Sequence, residues 1–150
     1  MSDFLQLSNK TVIVFGVANR KSIAYHVGKS LEESGANVIY VVRSEQRKSE
    51  LSEKLLADRV IYVCDVESPE QIECLQSALA ESGTRIDGIV HSIAFADYGD
   101  EVKPFHETGK EQFLRAVDVS CYSLIAISNA LRRPIHVYEL ASTSGHNRDF

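Results

Sequence analysis

The stretch GVANRKSIA (residues 16–24) combines residue types that could hold a phosphate group. Gly16 permits a tight turn, Ala18 limits side-chain bulk, and Ser22 can cap a helix and donate its hydroxyl to a phosphate oxygen. The amide of Ile23 would point the same way. The alternative is a plain strand-to-helix turn capped by serine, since the G-x-G-x-x-G fingerprint of dinucleotide sites is absent.

The elements that must position these residues follow from the hydrophobic pattern. An apolar run TVIVFG, a helical stretch, a Ser-Gly break and a second apolar run NVIYVV make residues 11–42 a βαβ unit. Residues 45–58, 69–82 and 110–131 favour helices, and residues 59–66 and 86–95 favour strands. This alternation predicts an α/β protein with a doubly wound, Rossmann-like parallel sheet in the order 3-2-1-4. We expect the turn at Gly16 and the residues after Ile89 to face one crevice.

Two of the predicted helices carry further signals. Ser68 and Pro69 occupy the N-cap and the first position of the helix at 69–82, and Gly83 ends it. The helix at 110–131 places Phe113, Val117, Leu124 and Leu131 roughly along one side. This spacing predicts a single apolar stripe.

Composition narrows the class of protein. At 150 residues the chain suits a single domain spanning residues 1–150. A hydrophobic fraction of 44% and a net charge of −5 describe an ordinary soluble protein. Without a basic excess, nucleic acid and anionic membranes are not expected as partners. The N-terminal MSDFLQLSNK lacks the apolar core of a signal peptide, and no run reaches the roughly 18 residues of a membrane span. We therefore expect a cytoplasmic protein.

The three cysteines, Cys64, Cys74 and Cys121, lie far apart, and no C-x-x-C pair occurs. This spacing predicts neither a disulfide framework nor a zinc site, and we assign no metal. We expect all three to be buried, reduced packing residues.

Four motifs in order along the chain resemble one known family. They are GVANRKSIAYHV, CDV at 64–66, HSIAFAD at 91–97 and FLRAVDVSCYSL at 113–124. From about Leu7 to Leu131 the chain resembles the bacterial-type enoyl-[acyl-carrier-protein] reductases, a branch of the short-chain dehydrogenase/reductases. The resemblance implies NAD(P)H-dependent reduction of trans-2-enoyl thioesters in fatty acid biosynthesis, with acyl-carrier-protein or CoA thioesters as substrates. It also implies a homo-oligomer for the full-length family.

The resemblance also implies roles for individual residues. These are Gly16, Ser22 and Ile23 at the cofactor's phosphates and ribose, Asp65 and Val66 around the adenine, Ile93 beneath the nicotinamide ribose, and Ala96 beside the acyl substrate. Without the resemblance, Asp65 would be interpreted as a turn residue that ends a strand. A lone histidine such as His91 is more typical of a packing residue.

The residue after the second strand bears on the form of the cofactor. NAD-specific sites place an acidic residue there to accept from the ribose 2′-hydroxyl, whereas this chain has Arg43, with Arg47 and Lys48 nearby. A guanidinium fork suits a 2′-phosphate. In the alternatives, Arg43 stacks on the adenine and the basic cluster is an exposed helix face. We expect NAD(P)H as the cofactor, with NADPH favoured over NADH.

The family's catalytic signature, Tyr-x6-Lys, is missing from these 150 residues. The last lysine is Lys110, so Tyr122 and Tyr138 have no lysine partner downstream, and we assign no catalytic residue. From Arg132 onward the sequence departs from the family, although residues 135–141 could form a fifth strand. Residues 132–150 are therefore interpreted as an atypical tail.

The sequence is compatible with three functions. The first is a fragment or truncated product of an enoyl thioester reductase, incomplete relative to the family. The second is a non-catalytic NAD(P)-binding regulatory module that uses the same crevice. The third is another short-chain reductase that takes its catalytic groups from a partner chain.

Overall fold

Within residues 4–99 and 103–132, which the computed structural model describes, four parallel strands form a sheet in the order β3-β2-β1-β4. The strands are β1 (Thr11–Phe15), β2 (Asn37–Val42), β3 (Val60–Val63) and β4 (Gly88–His91). The helices are α1 (Ile23–Glu33), α2 (Glu45–Lys54), α3 (Pro69–Glu81), α4 (Lys110–Val117) and α5 (Ser123–Leu131), with a 3-10 turn at Phe105–Glu107 and a π-helical segment at Asp118–Tyr122. The doubly wound α/β fold and its 3-2-1-4 order are confirmed.

An apolar core covers each face of the sheet. Successive residues of a strand point to opposite faces, so neighbouring residues belong to different cores. On one face, Val14 and Tyr40 pack in a cluster with residues of α1 and α2. On the other, Ile13 and Phe15 pack in a cluster with residues of α3 and α5. Burial on both faces explains why β1 and β2 are continuous apolar runs rather than alternating ones.

Helix α3 begins and ends where its sequence signals predict. The Ser68 hydroxyl accepts a hydrogen bond from the Gln71 amide at 3.3 Å, and Pro69 is the first helical residue. Gly83 follows the helix with φ of +64°, a left-handed conformation that suits glycine. The N-cap and stop signals are thus confirmed.

The predicted helix at 110–131 is interrupted by the π-helical segment. The positions buried along it are Val119, Ser123, Ile127 and Leu131. The predicted apolar stripe is wrong, because Phe113 and Val117 are 56% and 39% exposed. A π-helical turn contains an additional residue, so the face that α5 packs against the sheet does not continue along α4. Leu124, at the margin of the packed face, is also exposed.

The cysteines differ in their burial. Cys64 is buried, but Cys74 and Cys121 are exposed, so the expectation of three buried cysteines was wrong. The possible fifth strand at residues 135–141 and Tyr138 lie outside the described residues. None of the helices within the described ranges has the length and apolar character of a membrane span.

Candidate functional site

The carboxyl ends of the four strands enclose an open cleft of about 240 Å³. It lies where β1 and β4 adjoin, which is the switch point at which open α/β sheets bind ligands. Its lining consists of Phe15, Gly16, Val17, Ala18, Val41, Val42, Arg43, Arg47, Cys64, Asp65, Val66, Glu67, Ser92, Ile93, Ala94, Phe95 and Val119. The walls are mainly apolar, and four charged side chains stand on one side.

Gly16 lets β1 turn against the end of β4. Its φ is +100°, and a Cβ atom built on it would collide with the carbonyl group of Ser92. Ser92 is itself fixed, since its amide donates to the Phe15 carbonyl at 3.2 Å. The position therefore requires glycine for both conformation and space.

The Ser22 hydroxyl organises the turn that follows. Its oxygen accepts hydrogen bonds from the amides of Ala18 and Asn19, both at 2.9 Å. Ser22 occupies the N-cap position of α1, but its side chain makes no capping bond, so that part of the sequence prediction was wrong. The turn wraps back around the hydroxyl instead. Because these two bonds use the oxygen's lone pairs, the hydroxyl hydrogen remains available to a ligand.

The segment after β4 is fastened to the π-helical segment by Ser120. The Ser120 hydroxyl accepts from the Phe95 amide at 2.9 Å and donates to the Phe95 carbonyl at 3.1 Å. One side chain thus satisfies both backbone groups of Phe95, which fixes one wall of the cleft.

Cys64 contributes to another wall, where burial raises the pKa of its thiol to about 12 and keeps it protonated.

His91, at the end of β4, has a definite hydrogen-bond role. Ser123 donates its hydroxyl to the Val119 carbonyl at 2.7 Å, so it must accept from His91 Nε2, also at 2.7 Å. Burial lowers the pKa of His91, which favours this neutral form. His91 is a satisfied packing residue outside the cleft lining, as the sequence indicates.

A network of five charges joins the loops on one side of the cleft. Arg43 Nε lies 3.0 Å from Asp65 Oδ2, and its Nη2 lies 3.0 Å from Glu67 Oε2. Arg115 Nε lies 2.8 Å from Glu67 Oε1, and its Nη1 lies 3.0 Å from Asp97 Oδ2. Bonds to Glu67 and then to Asp97 raise the pKa of Arg115. The network links four segments of the chain that are distant in sequence.

The structure brings together five of the eight predicted site residues. Gly16, Arg43, Asp65, Val66 and Ile93 all line the cleft, whereas Ser22, Ile23 and Ala96 lie outside its lining. The Ile23 side chain is 74% exposed, so only its amide at the start of α1 could serve a bound group. The roles assigned to these residues remain predictions.

Comparison with known proteins decides the family. A model of the enoyl-(acyl carrier protein) reductase family matches residues 16–142. The chain belongs to the enoyl-[acyl-carrier-protein] reductase family. The resemblance found in the four sequence motifs is thereby confirmed.

Named members of the reductase family give the extent of the similarity. The enoyl-[acyl-carrier-protein] reductase [NADPH] FabI of Staphylococcus aureus is 38% identical over 134 residues, which cover 86% of this chain and 52% of that protein. The enzyme of the same name marked [NADH] from Enterococcus faecalis is 37% identical over 123 residues, covering 82% and 49%. The crystal structure of the NADH reductase from Aquifex aeolicus matches with a TM-score of 0.76 at 34% identity, covering 86% and 52%. The chain thus spans about half the length of the reductases it matches.

Sequence reasoning missed three members of the charge network beside this cleft. Glu67 follows Asp65 by two residues in the turn between β3 and α3, a position that could have been suspected from the topology alone. Asp97 stands in the HSIAFAD motif but has no distinctive spacing. Arg115 lies in a helix of mixed character, and nothing in the sequence indicates that it reaches Glu67.

Proposed function

We propose that this chain supplies the NAD(P)H-binding cleft of an enoyl thioester reductase, with NADPH preferred over NADH. The observation that carries this proposal is the cleft at the switch point, which gathers Gly16, Arg43, Asp65, Val66 and Ile93 in a chain of this family. When bound, the cofactor supplies a hydride for the β-carbon of a trans-2-enoyl thioester carried on acyl carrier protein or CoA. Relatives named for each cofactor form support NAD(P)H in general.

The start of α1 fits the phosphates of a dinucleotide. Within the described part of the chain, the amides of Ile23 and Ala24 have no hydrogen-bond partner. Such amides at a helix N-terminus attract anions, and the helix dipole adds to the attraction. The free hydroxyl hydrogen of Ser22 offers a third donor beside them. Gly16 keeps the turn close to the sheet.

The residues at and after the ends of β2 and β3 fit the adenosine end of the cofactor. Arg43 and Arg47 both line the cleft. Arg43 donates from Nε and Nη2 and Arg47 donates from Nη1, but each guanidinium keeps N–H groups without a hydrogen bond to the described residues, which could bind a ribose 2′-phosphate. Asp65 accepts from Arg43 and from the Glu67 amide, one bond on each oxygen. Each carboxylate oxygen can accept a second bond, so Asp65 can still accept from the adenine amine, with Val66 beside the ring.

The nicotinamide end is assigned to the segment after β4. Ile93 lines the cleft and would pack beneath the nicotinamide ribose. Ala96 lies just outside the lining, next to the wall fixed by Ser120, where its backbone would border the acyl chain. This placement puts the adenosine end at the ends of β2 and β3 and the nicotinamide end after β4, on the two sides of β1 in the sheet order.

A non-catalytic NAD(P)-binding module is the second candidate, and one observation favours it. Neither a tyrosine nor a lysine lines the cleft among the described residues. Tyr122 is 56% exposed on the π-helical segment and borders a separate groove. Binding without turnover by this chain would distinguish this module from a complete reductase.

Calorimetric titration of Arg43→Ala tests the cofactor assignment. We expect the affinity for NADPH to fall by about 1.5 to 3 kcal/mol more than the affinity for NADH, because a charge-assisted pair with the 2′-phosphate is lost. Arg85→Ala is a matched control, since Arg85 is also exposed and paired with a carboxylate, Asp87, but lies outside the cleft. It should leave both affinities unchanged.

Two outcomes of the same titration would contradict these expectations. Equal losses for both cofactors would show that Arg43 stacks on the adenine and does not bind a phosphate. Absence of binding by the unsubstituted, folded chain at millimolar concentrations of either cofactor would overturn the proposed function. Ser22→Leu should weaken both cofactors alike, while Ser49→Leu, on the exposed side of α2, should weaken neither.

We further propose that the chain self-associates through the outward face of α4 and α5. Phe113, Leu114 and Ile125 are 56%, 52% and 64% exposed there, an unusual density of large apolar side chains. The resemblance implies a subunit contact on the family counterpart of this helix, which supports the proposal. Ile125→Glu is expected to shift the chain towards monomer in concentration-dependent sedimentation. If Val60→Glu on the edge strand β3 did so instead, strand pairing would be the mode of association.

A further inference from the structure

The charge network holds Arg43 by two carboxylates at once. Its Nε donates to Asp65 and its Nη2 to Glu67, so the Nε–Nη2 edge of the guanidinium is engaged on the cleft wall. The side chain of Arg43 is 58% exposed, whereas those of Asp65 and Glu67 are 25% and 23% exposed. A ligand phosphate that approached Arg43 would therefore compete with fixed, partly buried acids.

Glu67 is in turn shared with a second arginine. Arg115 donates to Glu67 Oε1 at 2.8 Å through Nε and to Oε2 at 3.3 Å through Nη2, a bidentate geometry. Glu67 Oε2 thus accepts from both Arg43 and Arg115. Every donor bond that Arg115 makes to Glu67 reduces the negative charge that Arg43 experiences.

Arg115 is held in this position by two other groups. Its Nη1 donates to Asp97 at 3.0 Å, and its guanidinium carbon lies 4.9 Å from the centroid of the Phe95 ring. Stacking on an aromatic face favours a cation. Phe95 is fixed through its backbone by Ser120. The orientation of Arg115 is therefore determined by the fold.

We propose that Glu67 is a specificity-determining residue that weakens the binding of a ribose 2′-phosphate at Arg43, and that Arg115 is a positioning residue that limits this effect by holding Glu67. The inference rests on the proposed function and deepens it. Glu67 competes with the phosphate for Arg43, and its negative charge also repels the phosphate directly. The preference between NADPH and NADH is then set by how Glu67 divides its bonds between the two arginines.

The charges of the network determine whether each substitution strengthens or weakens the binding of NADPH. With two arginines and three carboxylates the network carries a formal charge of −1, so removing the charge of Glu67 makes it more attractive to an anion. Removing Arg115 has the opposite effect, since Glu67 then turns wholly to Arg43. Solvent screens these partly exposed groups, so changes of about three- to tenfold are expected.

The test measures dissociation constants of NADPH and NADH by calorimetry for four variants of the chain. Glu67→Gln should tighten NADPH by about three- to tenfold and change NADH by less than about twofold. Arg115→Leu should weaken NADPH by about two- to fivefold, and Arg115→Lys should restore part of the loss. In the Glu67→Gln background, Arg115→Leu should have no further effect, because it acts only through Glu67.

The outcomes separate the inference from the proposed function. Glu81→Gln, an exposed acid at the far end of α3, is the control and should change neither constant. If both cofactors bind but their ratio is unchanged in Glu67→Gln, or if Arg115→Leu weakens both equally in either background, the inference is wrong. If neither cofactor binds the unsubstituted chain, the proposed function fails and the inference fails with it. Should Glu67→Gln not fold, the two Arg115 variants alone decide, since a structural role would not move the cofactor ratio.

Discussion

Gly16→Ala is expected to destabilise the fold by about 3 to 5 kcal/mol, which lowers the thermal midpoint by about 10 °C or more. Two costs add together. An alanine at φ of +100° carries about 1 to 3 kcal/mol of backbone strain. Its Cβ would also overlap the Ser92 carbonyl, and this backbone group cannot turn away as a flexible side chain could. Displacing it would disturb the end of β4.

Gly83→Ala is the matched control for this prediction. Gly83 also has positive φ, +64°, but a Cβ there would meet nothing within 4 Å. It should therefore cost only the backbone strain, about 1 to 2 kcal/mol. Urea unfolding of both variants measures the difference, which isolates the contact between the turn and β4. Equal destabilisation would show that β1 and β4 do not approach each other closely at Gly16 in solution.

The architecture could be predicted from the sequence because its signals are local and agree with one another. Continuous apolar runs at β1 and β2 indicate strands buried on both faces, and the helices between them dictate parallel pairing. Ser68, Pro69 and Gly83 mark the limits of α3 through backbone requirements that few other residues meet. Each of these signals lies within a few residues of the element it specifies.

The details of the site were less predictable, because they depend on contacts between distant segments. The residue type of Ser22 suggests a cap, yet its hydroxyl is used by the amides of Ala18 and Asn19. Both uses satisfy the same oxygen, and only the path of the turn decides between them. The bridge from Arg115 to Glu67 spans 48 positions, so no pattern of spacing indicates it.

The interrupted helix shows a third kind of limit. Extrapolating one helical period from Lys110 to Leu131 places Phe113 and Leu131 on one side. The π-helical segment between them changes the phase, and it coincides with the serine that fastens Phe95. Segments of this kind often lie at functional sites, where a local rearrangement directs a side chain to its partner.

The purified 150-residue chain is expected to bind NAD(P)H without reducing enoyl thioesters at an ordinary turnover of about 1 to 10³ per second. Hydride addition to the β-carbon of an enoyl thioester leaves negative charge on the thioester oxygen, and a proton donor must stabilise it. No tyrosine in the sequence has a lysine seven positions later. In the described part of the chain, moreover, neither residue type lines the cleft.

The size of the expected loss follows from the missing donor. Removing even one donor to a developing oxyanion costs about 10²- to 10³-fold in rate, and these 150 residues contain no Tyr-x6-Lys pair to supply one. The measurement is the loss of NADPH absorbance with a crotonyl thioester, alongside a full-length relative as the positive control. Turnover in the ordinary range that Ser22→Leu abolishes would overturn the prediction, because it would place complete chemistry in this cleft. If Tyr122→Phe then also abolished it, the exposed tyrosine of the π-helical segment would be the missing donor, which requires that it reach the cleft from the groove where it now lies.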